Sequence, residues 1–270
     1  MKLSHTDISR LLEVAVVSAR LAGSRAMDEL RYNKATIKNG SELVTQADPI
    51  CQKIIIDKVM ETYPRHGFIA EEGSDGQLMK LPPRGEDFWW VIDPIDGTNN
   101  YANQLLCFSV SIAVFHEGRP IVGVIFDPTT DSMYTAAEGM DAQLNASHIQ
   151  VSQSDITPFA SFGIDTHINP AEEPGILHMF KHTRIRCLGS TAIHLAYVAK
   201  GALIGSICGT PKLWDIAAGI ILIQRAGGRV DPLDGSDLFP FNLDAYEGGP
   251  VGILASTPKT RAQLLDLFRK

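Results

Sequence analysis

The chain has 270 residues, of which 44% are hydrophobic and 20% charged, as expected of a soluble globular protein with one large domain or two lobes. Its formal net charge of −7 argues against direct nucleic-acid binding through a broad basic surface. The four cysteines contain no CxxC pair, so they indicate neither a zinc site nor a disulfide framework. The N-terminus lacks a secretory pattern, and the apolar run that follows is interrupted by Glu13 and Arg20. We therefore expect a cytoplasmic protein without a membrane span.

Hydrophobic periodicity and turn residues predict two helices and a series of strands in the first half of the chain. Ser4 and Asp7 form a capping-box pattern, and Asp48 followed by Pro49 predicts a second helix with Asp48 as its N-cap. The Gly- and Pro-rich stretch 73–85 predicts a mobile surface loop, and Lys38 is interpreted as a solvated loop lysine. The predicted elements are helices at 5–31 and 48–63 and strands at 43–45, 68–73, 88–92, 108–115, 121–127, 133–137 and 145–152.

The second half alternates between strands and helices, and a boundary near residue 152 separates it from the first half. The sequence thus predicts an N-terminal lobe, 1–152, and a C-terminal lobe, 153–270. Interleaved strands and helices with short links favour a layered α/β or α+β fold. The predicted elements are strands at 159–165, 184–188, 202–208 and 251–255 and helices at 171–181, 191–200, 215–225 and 260–270.

The stretch from Trp90 to Tyr101 organises the chain. An apolar, aromatic strand precedes Asp93, and Pro94 is expected to end that strand because it lacks a backbone donor. Asp96 then stands three residues after the first acid, next to Gly97. A glycine lets a phosphate approach the backbone, and free N–H groups at a helix start attract anions. Taken alone, the stretch is equally compatible with an ordinary Asp-Gly turn.

Four acids stand at the ends of predicted elements and next to turns: Glu71, Asp93, Asp96 and Asp215. Each has a purely structural interpretation, for example Asp215 as a helix cap. Four carboxylates in one pocket would repel one another, and hard divalent cations relieve that repulsion. Ligand sets made only of oxygen favour Mg²⁺ or Mn²⁺ over zinc. The residues alone do not show that the four acids converge.

Three blocks of sequence, taken together and in this order, resemble the inositol monophosphatase family: Glu71–Glu72, Trp90–Tyr101 and Trp214–Gly219. This family belongs to the lithium-sensitive, magnesium-dependent phosphatases, with fructose-1,6-bisphosphatase and bisphosphate nucleotidases as relatives. The match extends from about Lys38 to Gly228. The resemblance implies an α/β/α/β/α sandwich with the site between two lobes, Mg²⁺ as cofactor and, as in many members, a homodimer.

The resemblance also implies a set of metal ligands. Glu71, Asp93 and the backbone carbonyl of Ile95 would hold a first metal. Asp93, Asp96 and Asp215 would hold a second, and a third, weaker metal would also use Glu71. Metal-activated water would then hydrolyse a small phosphate monoester without a Ser, Cys or His nucleophile.

Further roles follow from the same resemblance. The amides of Gly97 and Thr98 would bind the phosphate. Asp48 would accept a hydrogen bond from the Thr98 hydroxyl, and this pair would help to orient the attacking water, which makes both catalytic residues alongside Glu71. The alcohol part of the substrate would be contacted by Gly189, Ser190, Thr191 and Asp215.

The substrate stays open at this point. Inositol-preferring members carry an acid six positions before the motif tryptophan, where this chain has Cys208, so an acceptor for substrate hydroxyls is expected to be missing. Lys212 could meet a second anionic group instead, or be a surface lysine. The alternatives to an inositol phosphate are fructose 1,6-bisphosphate, adenosine 3′,5′-bisphosphate and histidinol phosphate. Another is a mainly regulatory member that binds an RNA or transcription partner.

Overall fold

The computed structural model describes residues 3–32, 34–38, 42–74 and 77–268. Its helices are α1 (His5–Glu29), α2 (Ala47–Met60), α3 (Thr98–Ala102), α4 (Glu173–His182), α5 (Thr191–Ala199), α6 (Leu213–Arg225) and α7 (Arg261–Phe268), with a 3₁₀ turn at Leu30–Tyr32. Its strands are β1 (Ala35–Lys38), β2 (Glu42–Thr45), β3 (Gly67–Ala70), β4 (Met79–Leu81), β5 (Phe88–Asp96), β6 (Ser109–His116), β7 (Arg119–Asp127), β8 (Ser132–Ala137), β9 (Gln143–Leu144), β10 (Ser147–His148), β11 (Ser161–Ile164), β12 (Arg184–Arg186), β13 (Gly205–Cys208), β14 (Arg229–Pro232) and β15 (Ile253–Ser256). No helix in these described ranges combines the length and apolar composition needed to cross a bilayer.

Two large sheets and three helical layers stack on one another, and β1 and β2 form a separate two-stranded antiparallel sheet. The first sheet has eight strands in the order β10-β9-β8-β7-β6-β5-β3-β4, and the second has five in the order β12-β11-β13-β15-β14. Helices α1 and α2 pack on one face of the first sheet, and α5 and α6 lie between the sheets. Helices α4 and α7 pack on the second sheet. The predicted α/β/α/β/α sandwich is therefore confirmed.

Strand β5 lies inside the first sheet, between β6 and β3, and it is buried along its whole length. Trp89 and Val91 face the core shared with α5 and α6, whereas Trp90 and Ile92 face the core shared with α1 and α2. Successive side chains of a strand point to opposite faces, so a strand covered on both sides needs a continuous apolar run. The shared core joins residues from both predicted lobes, and the boundary near residue 152 stays a prediction.

The capping box at Ser4 is present, but the organising strand does not end where the sequence predicts. Strand β5 continues through Pro94 to Asp96. Its pairing with β6 shifts register between Asp93 and Asp96, and this irregularity accommodates a proline that cannot donate to the ladder. The irregularity lies between Asp93 and Asp96, the two acids of this stretch that the sequence analysis singles out.

Other boundaries differ because tertiary pairing decides them. Helix α2 begins at Ala47, so Asp48 lies inside the first turn and is not the N-cap. Part of the predicted mobile loop forms β4, which pairs antiparallel with β3. Only two short strands form near 145–152, and the β14 strand has no counterpart in the prediction.

Candidate active site

Two groups of carboxylates adjoin at the ends of β3 and β5 and the start of α6. Within each group the ligand oxygens lie within 4.8 Å of one another. The side chains of Asp93 and Glu71 contact each other, so the groups are neighbours. The structure therefore brings together the four acids that the sequence singles out, and it adds Asp48 and Glu72. The first group is Asp93, Asp96 and Asp215, and the second group is Asp48, Glu71 and Glu72.

Asp93 is positioned by the irregular end of β5. Its Oδ1 accepts a hydrogen bond from the Ile95 amide at 3.0 Å, and the residue is 2% exposed. Burial, followed by the charges of Glu71, Asp96 and Asp215, raises the pKa of this carboxyl well above its usual range. A site without a cation therefore holds Asp93 as a charged group only at a cost.

Asp96 is the last residue of β5, and its side chain lies against the N-terminal end of α5. Its Oδ1 accepts from the Thr191 amide at 3.2 Å, and its Oδ2 accepts from the Ala192 amide at 3.0 Å and from the Ser190 hydroxyl. Burial raises its pKa to about 6, although these hydrogen bonds favour the charged form. The predicted substrate segment that begins at Gly189 therefore contacts the metal-ligand candidate directly.

Asp215 lies in the first turn of α6, which begins two residues earlier than predicted. Its Oδ2 accepts from the Lys212 amide at 2.7 Å, so the acid caps the helix from within. Burial and the nearby charge of Asp96 raise its pKa to about 8. The Ser111 hydroxyl donates to the Trp214 carbonyl at 3.1 Å and ties this helix start to β6.

Lys38 enters the second group, so its interpretation as a solvated loop lysine is wrong. The residue is 8% exposed, and its Nζ donates to Glu72 Oε1 at 3.0 Å and to the Glu71 carbonyl at 3.3 Å. The ammonium also lies 4.0 Å from Glu71 Oε1. Burial raises the pKa of Glu71 well above its usual range, with further contributions from Glu72 and Asp48, while Lys38 opposes the shift.

Gln52 is a site residue that the sequence analysis missed. Its Nε2 donates to the Glu72 carbonyl at 2.5 Å, and its Oε1 accepts from the Glu72 amide at 2.9 Å. This double hydrogen bond fixes the peptide that follows Glu71. Gln52 stands four residues after Asp48 on α2, and residues at that spacing share a helix face. That spacing is the signal that could have found it.

Asp48 and Thr98 face each other, as the resemblance implies. Thr98 Oγ1 lies 3.5 Å from Asp48 Oδ1 and 3.0 Å from the Ile95 carbonyl, and its single proton serves one acceptor at a time. Asp48 Oδ2 accepts from the Thr45 amide and hydroxyl at 2.9 and 2.5 Å. Burial raises the pKa of Asp48 to about 6.

Gly97 closes the turn after β5 with φ of 95°. A Cβ at this position would lie 3.1 Å from the Gly189 carbonyl and 3.2 Å from the Cys107 carbonyl. Asn100 holds the same two segments together, because its Nδ2 donates to the Cys107 and Leu188 carbonyls at 2.7 Å each. Both the backbone conformation and the close approach therefore require glycine.

The donor chemistry of the site fits a hard divalent cation. The two groups offer carboxylate oxygens from α2, β5, α6 and the end of β3. Each carboxylate oxygen has about two acceptor positions. Asp96 Oδ2 accepts from Ser109, Ser190 and Ala192, but its Oδ1 accepts only from the Thr191 amide, and Asp215 Oδ2 accepts from the Lys212 amide, so both acids keep an oxygen that can bind a cation. Oxygen donors suit Mg²⁺, Mn²⁺ or Ca²⁺, and the raised pKa values show that the assembled charges require compensation. The acids thus form a cluster that can hold metal ions.

Of the other predicted positions, Lys212 donates through Nζ to the Gly248 carbonyl at 2.8 Å. This contact disfavours a role in meeting a second anionic group. Cys208 is fully buried at the end of β13. His194 is a buried core residue, and its Nε2 accepts from the Leu188 amide at 2.9 Å.

Comparison with known proteins shows which family the chain resembles over its length. The model of the inositol monophosphatase family matches residues 7–269. The Nus factor SuhB of Escherichia coli is 33% identical over 96% of this chain and 99% of its own length. An inositol-1-monophosphatase of Rhizobium meliloti is 33% identical over 82% and 84%. The solved IMPase of Thermotoga maritima superposes with a TM-score of 0.82 at 28% identity, covering 96% of both chains.

The matches extend over nearly the whole chain, whereas the sequence motifs extend only from about Lys38 to Gly228. The family prediction and the prediction of an inositol monophosphatase-like phosphatase are both confirmed at the level of the family. The chain belongs to the inositol monophosphatase family.

Proposed function

We propose that this protein is a Mg²⁺-dependent phosphatase that hydrolyses a small phosphate monoester. The observation that carries the proposal is the pair of adjoining carboxylate groups beside the Gly97 turn. Phosphate monoester hydrolysis requires charge neutralisation on the phosphoryl oxygens, an activated water and a stabilised leaving oxygen. Oxygen donors grouped beside this turn would meet those requirements once they hold divalent cations.

The metal ligands in this proposal are those that the family resemblance implies. Glu71, Asp93 and the Ile95 carbonyl would hold one cation, and Asp93, Asp96 and Asp215 would hold another. Bound cations supply positive charge opposite the phosphoryl oxygens and lower the pKa of a water molecule. Lys38 and Gln52 position the Glu71–Glu72 peptide through the hydrogen bonds described above.

The remaining steps involve the chain's own groups. The amides of Gly97 and Thr98 bind the phosphate at the turn. Thr98 Oγ1 accepts a proton from the attacking water while it donates its own toward Asp48 Oδ1, 3.5 Å away. A pKa of about 6 keeps Asp48 ionised at neutral pH but more basic than an exposed aspartate. The segment Gly189–Thr191 and Asp215 contact the alcohol part of the substrate.

A regulatory function is the second candidate, because a relative with 33% identity is named a Nus factor. Two observations favour hydrolysis as the main activity of this chain. The oxygen-donor cluster is complete, and the net charge of −7 opposes direct RNA binding. We also propose that the protein is a cytoplasmic homodimer; size-exclusion chromatography with light scattering tests the dimer, and cell fractionation tests the location.

Phosphate release from purified protein tests the proposal. The substrate panel contains inositol phosphates, fructose 1,6-bisphosphate, adenosine 3′,5′-bisphosphate and histidinol phosphate. Each substrate is assayed with EDTA, with Mg²⁺ and with Ca²⁺. We expect release with Mg²⁺ alone, because Ca²⁺ is larger and coordinates less strictly. No release from any substrate would overturn the phosphatase proposal, and equal turnover with Ca²⁺ would overturn the strict metal site.

A further inference from the structure

Asp165 places an additional carboxylate at the edge of the active site. It directly follows β11, and its amide donates to the Ile207 carbonyl on β13 at 3.2 Å. Because β11 and β13 run parallel with Ile164 opposite Ile207, the next residues in register are Asp165 and Cys208. The end of this sheet therefore has an acid on β11 beside the neutral cysteine of β13.

Thr191 connects this acid to the first carboxylate group. Its hydroxyl donates to Asp165 Oδ2 at 3.2 Å, and its amide donates to Asp96 Oδ1, also at 3.2 Å. Asp165 is also close enough to Asp96 and Asp215 for its charge to raise the pKa of both carboxyls. One residue at the start of α5 thus separates Asp165 from the proposed metal ligands.

The exposure of Asp165 distinguishes it from the acids beneath it. Asp93 and Asp96 are 2% and 5% exposed, whereas Asp165 is only half-buried. Its Oδ1 accepts from the Thr166 amide at 2.8 Å and its Oδ2 from the Thr191 hydroxyl. A carboxylate has about four acceptor positions, so these two bonds leave capacity for a ligand.

The neighbouring residue, Cys208, cannot accept hydrogen bonds from substrate hydroxyls in the same way. Cys208 is fully buried, and burial raises the pKa of its thiol well above the usual range. A neutral thiol is a weak acceptor for a hydroxyl donor. The charged acceptor at this end of the sheet is therefore supplied by β11.

We propose that Asp165 is a specificity-determining residue that accepts hydrogen bonds from hydroxyl groups on the alcohol part of the substrate. The inference rests on the proposed phosphatase function and deepens it. It names the side chain that would accept substrate hydroxyls in this chain, where β13 offers only the neutral Cys208.

The charge of Asp165 favours a hydroxyl-bearing alcohol over an alcohol that carries a second phosphate. A second phosphate beside Asp165 would meet a carboxylate, and like charges at close range repel. Lys212, which the sequence analysis considered for attracting such a phosphate, donates its ammonium to the Gly248 carbonyl. A neutral, hydroxyl-rich alcohol meets no such repulsion and supplies the donors that a carboxylate needs.

Two substrates that differ only in hydroxyl groups test the inference. Glycerol 2-phosphate carries two hydroxyls that isopropyl phosphate lacks, and both are secondary phosphate monoesters. We expect the wild-type protein to prefer glycerol 2-phosphate by about tenfold or more in kcat/KM, since a hydrogen bond to a charged group is lost with the other substrate. Asp165→Asn should reduce that ratio by about tenfold, because an amide oxygen is a weaker acceptor.

A matched carboxylate outside the site provides the control. Asp155 is exposed and paired with Lys259, so Asp155→Asn should leave the substrate ratio unchanged. Asp165→Ser serves as a second variant, with a thermal melt to verify folding. If Asp165 only supports Thr191, kcat/KM falls equally for both substrates, and the unchanged ratio overturns the inference. A wild-type ratio near one also overturns it. Wild-type protein that releases no phosphate from either substrate overturns the proposed function itself.

Discussion

The two carboxylate groups of the site adjoin, but they differ in the source of their hydrogen-bond and charge partners. In the first group, Asp96 and Asp215 accept from backbone amides at the starts of α5 and α6. In the second group, Glu71 and Glu72 lie against the ammonium of Lys38. Backbone amides orient a carboxylate and stabilise its charge partially, whereas a lysine supplies a full positive charge.

The two groups also differ in how far their own partners compensate the charge of the buried carboxylates. In the first group burial prevails over the hydrogen bonds, since the pKa values of Asp96 and Asp215 rise to about 6 and 8. The second group already contains a cation from the chain, which opposes the shift at Glu71. Burial nevertheless raises the pKa of Glu71 well above its usual range, so both groups contain carboxyls whose charge a bound cation would stabilise, and Lys38 supplies part of that charge in the second group only. Variants in each group test that distinction.

The largest effect is expected for Asp93→Asn, which removes the carboxylate between the two groups. Loss of a shared ligand should lower kcat by at least a thousandfold, which corresponds to about 4 kcal/mol of transition-state stabilisation. Removing one ionisable acid from a buried cluster whose members raise one another's pKa should at the same time raise the melting temperature in EDTA. Steady-state kinetics at saturating Mg²⁺ and a thermal melt measure both effects. Activity within tenfold of wild type would contradict the assignment of Asp93 as a shared ligand.

The second prediction concerns the cation within the chain. Lys38→Met leaves the acids of the second group without their lysine, and breaking such a buried pair costs about 3 kcal/mol of unfolding free energy. Urea denaturation in EDTA measures the loss, and added Mg²⁺ should recover more stability in this variant than in wild type. The matched control is Lys53→Met, whose exposed pair with Asp57 should contribute less than about 1 kcal/mol. Equal losses for the two variants would show that Lys38 does not stabilise the acids.

The third prediction is a pH dependence that separates the metal-free and metal-bound protein. The folded-state pKa of Asp215 is raised to about 8, and those of Glu71 and Asp93 are raised well above their usual range. A raised carboxyl pKa means that the folded state holds the proton longer than the unfolded state, so stability is lost as pH rises toward the folded pKa. Buried His66 and His194 have lowered pKa values of about 4, and their contribution increases with pH only up to about 6.5.

Between about pH 6.5 and 8, therefore, only the carboxylates determine the slope. The free energy of unfolding in EDTA should fall across this window by on the order of 1.4 kcal/mol per pH unit for each proton released. The melting temperature should fall with it. Saturating Mg²⁺ should remove or reverse the fall, because metal and protons compete for the same oxygens. Thermal melts at about pH 6.5 and pH 8, each with EDTA and with saturating Mg²⁺, measure the effect. Parallel curves would contradict a metal site at these acids.

Local sequence predicted the helices and the buried strand, because those features depend on periodicity and on residues near one another in the chain. It also singled out the four acids, but only the family resemblance implied that they meet in one site. The contacts of Lys38 could not be predicted in this way, since Glu71 and Glu72 are more than 30 residues distant and meet it only in the folded state. The same limit applies to Asp165, whose position beside Cys208 depends on parallel strand pairing. The strand end at Pro94 was mispredicted because sheet pairing introduced an irregularity there.

The smallest effect is expected for Lys212→Ala, which tests whether a second lysine contributes charge to the site. Lys212 immediately precedes α6, but its Nζ donates to the Gly248 carbonyl at 2.8 Å and not to a carboxylate of the first group. Loss of that single hydrogen bond should lower the unfolding free energy by about 1 kcal/mol. The ratio of kcat/KM for fructose 1,6-bisphosphate to that for fructose 1-phosphate should stay within twofold of wild type, because the ammonium does not contact the substrate. A tenfold fall in that ratio would show that Lys212 leaves Gly248 to bind a second phosphate. The first group would then have a cation from the chain, as the second group does.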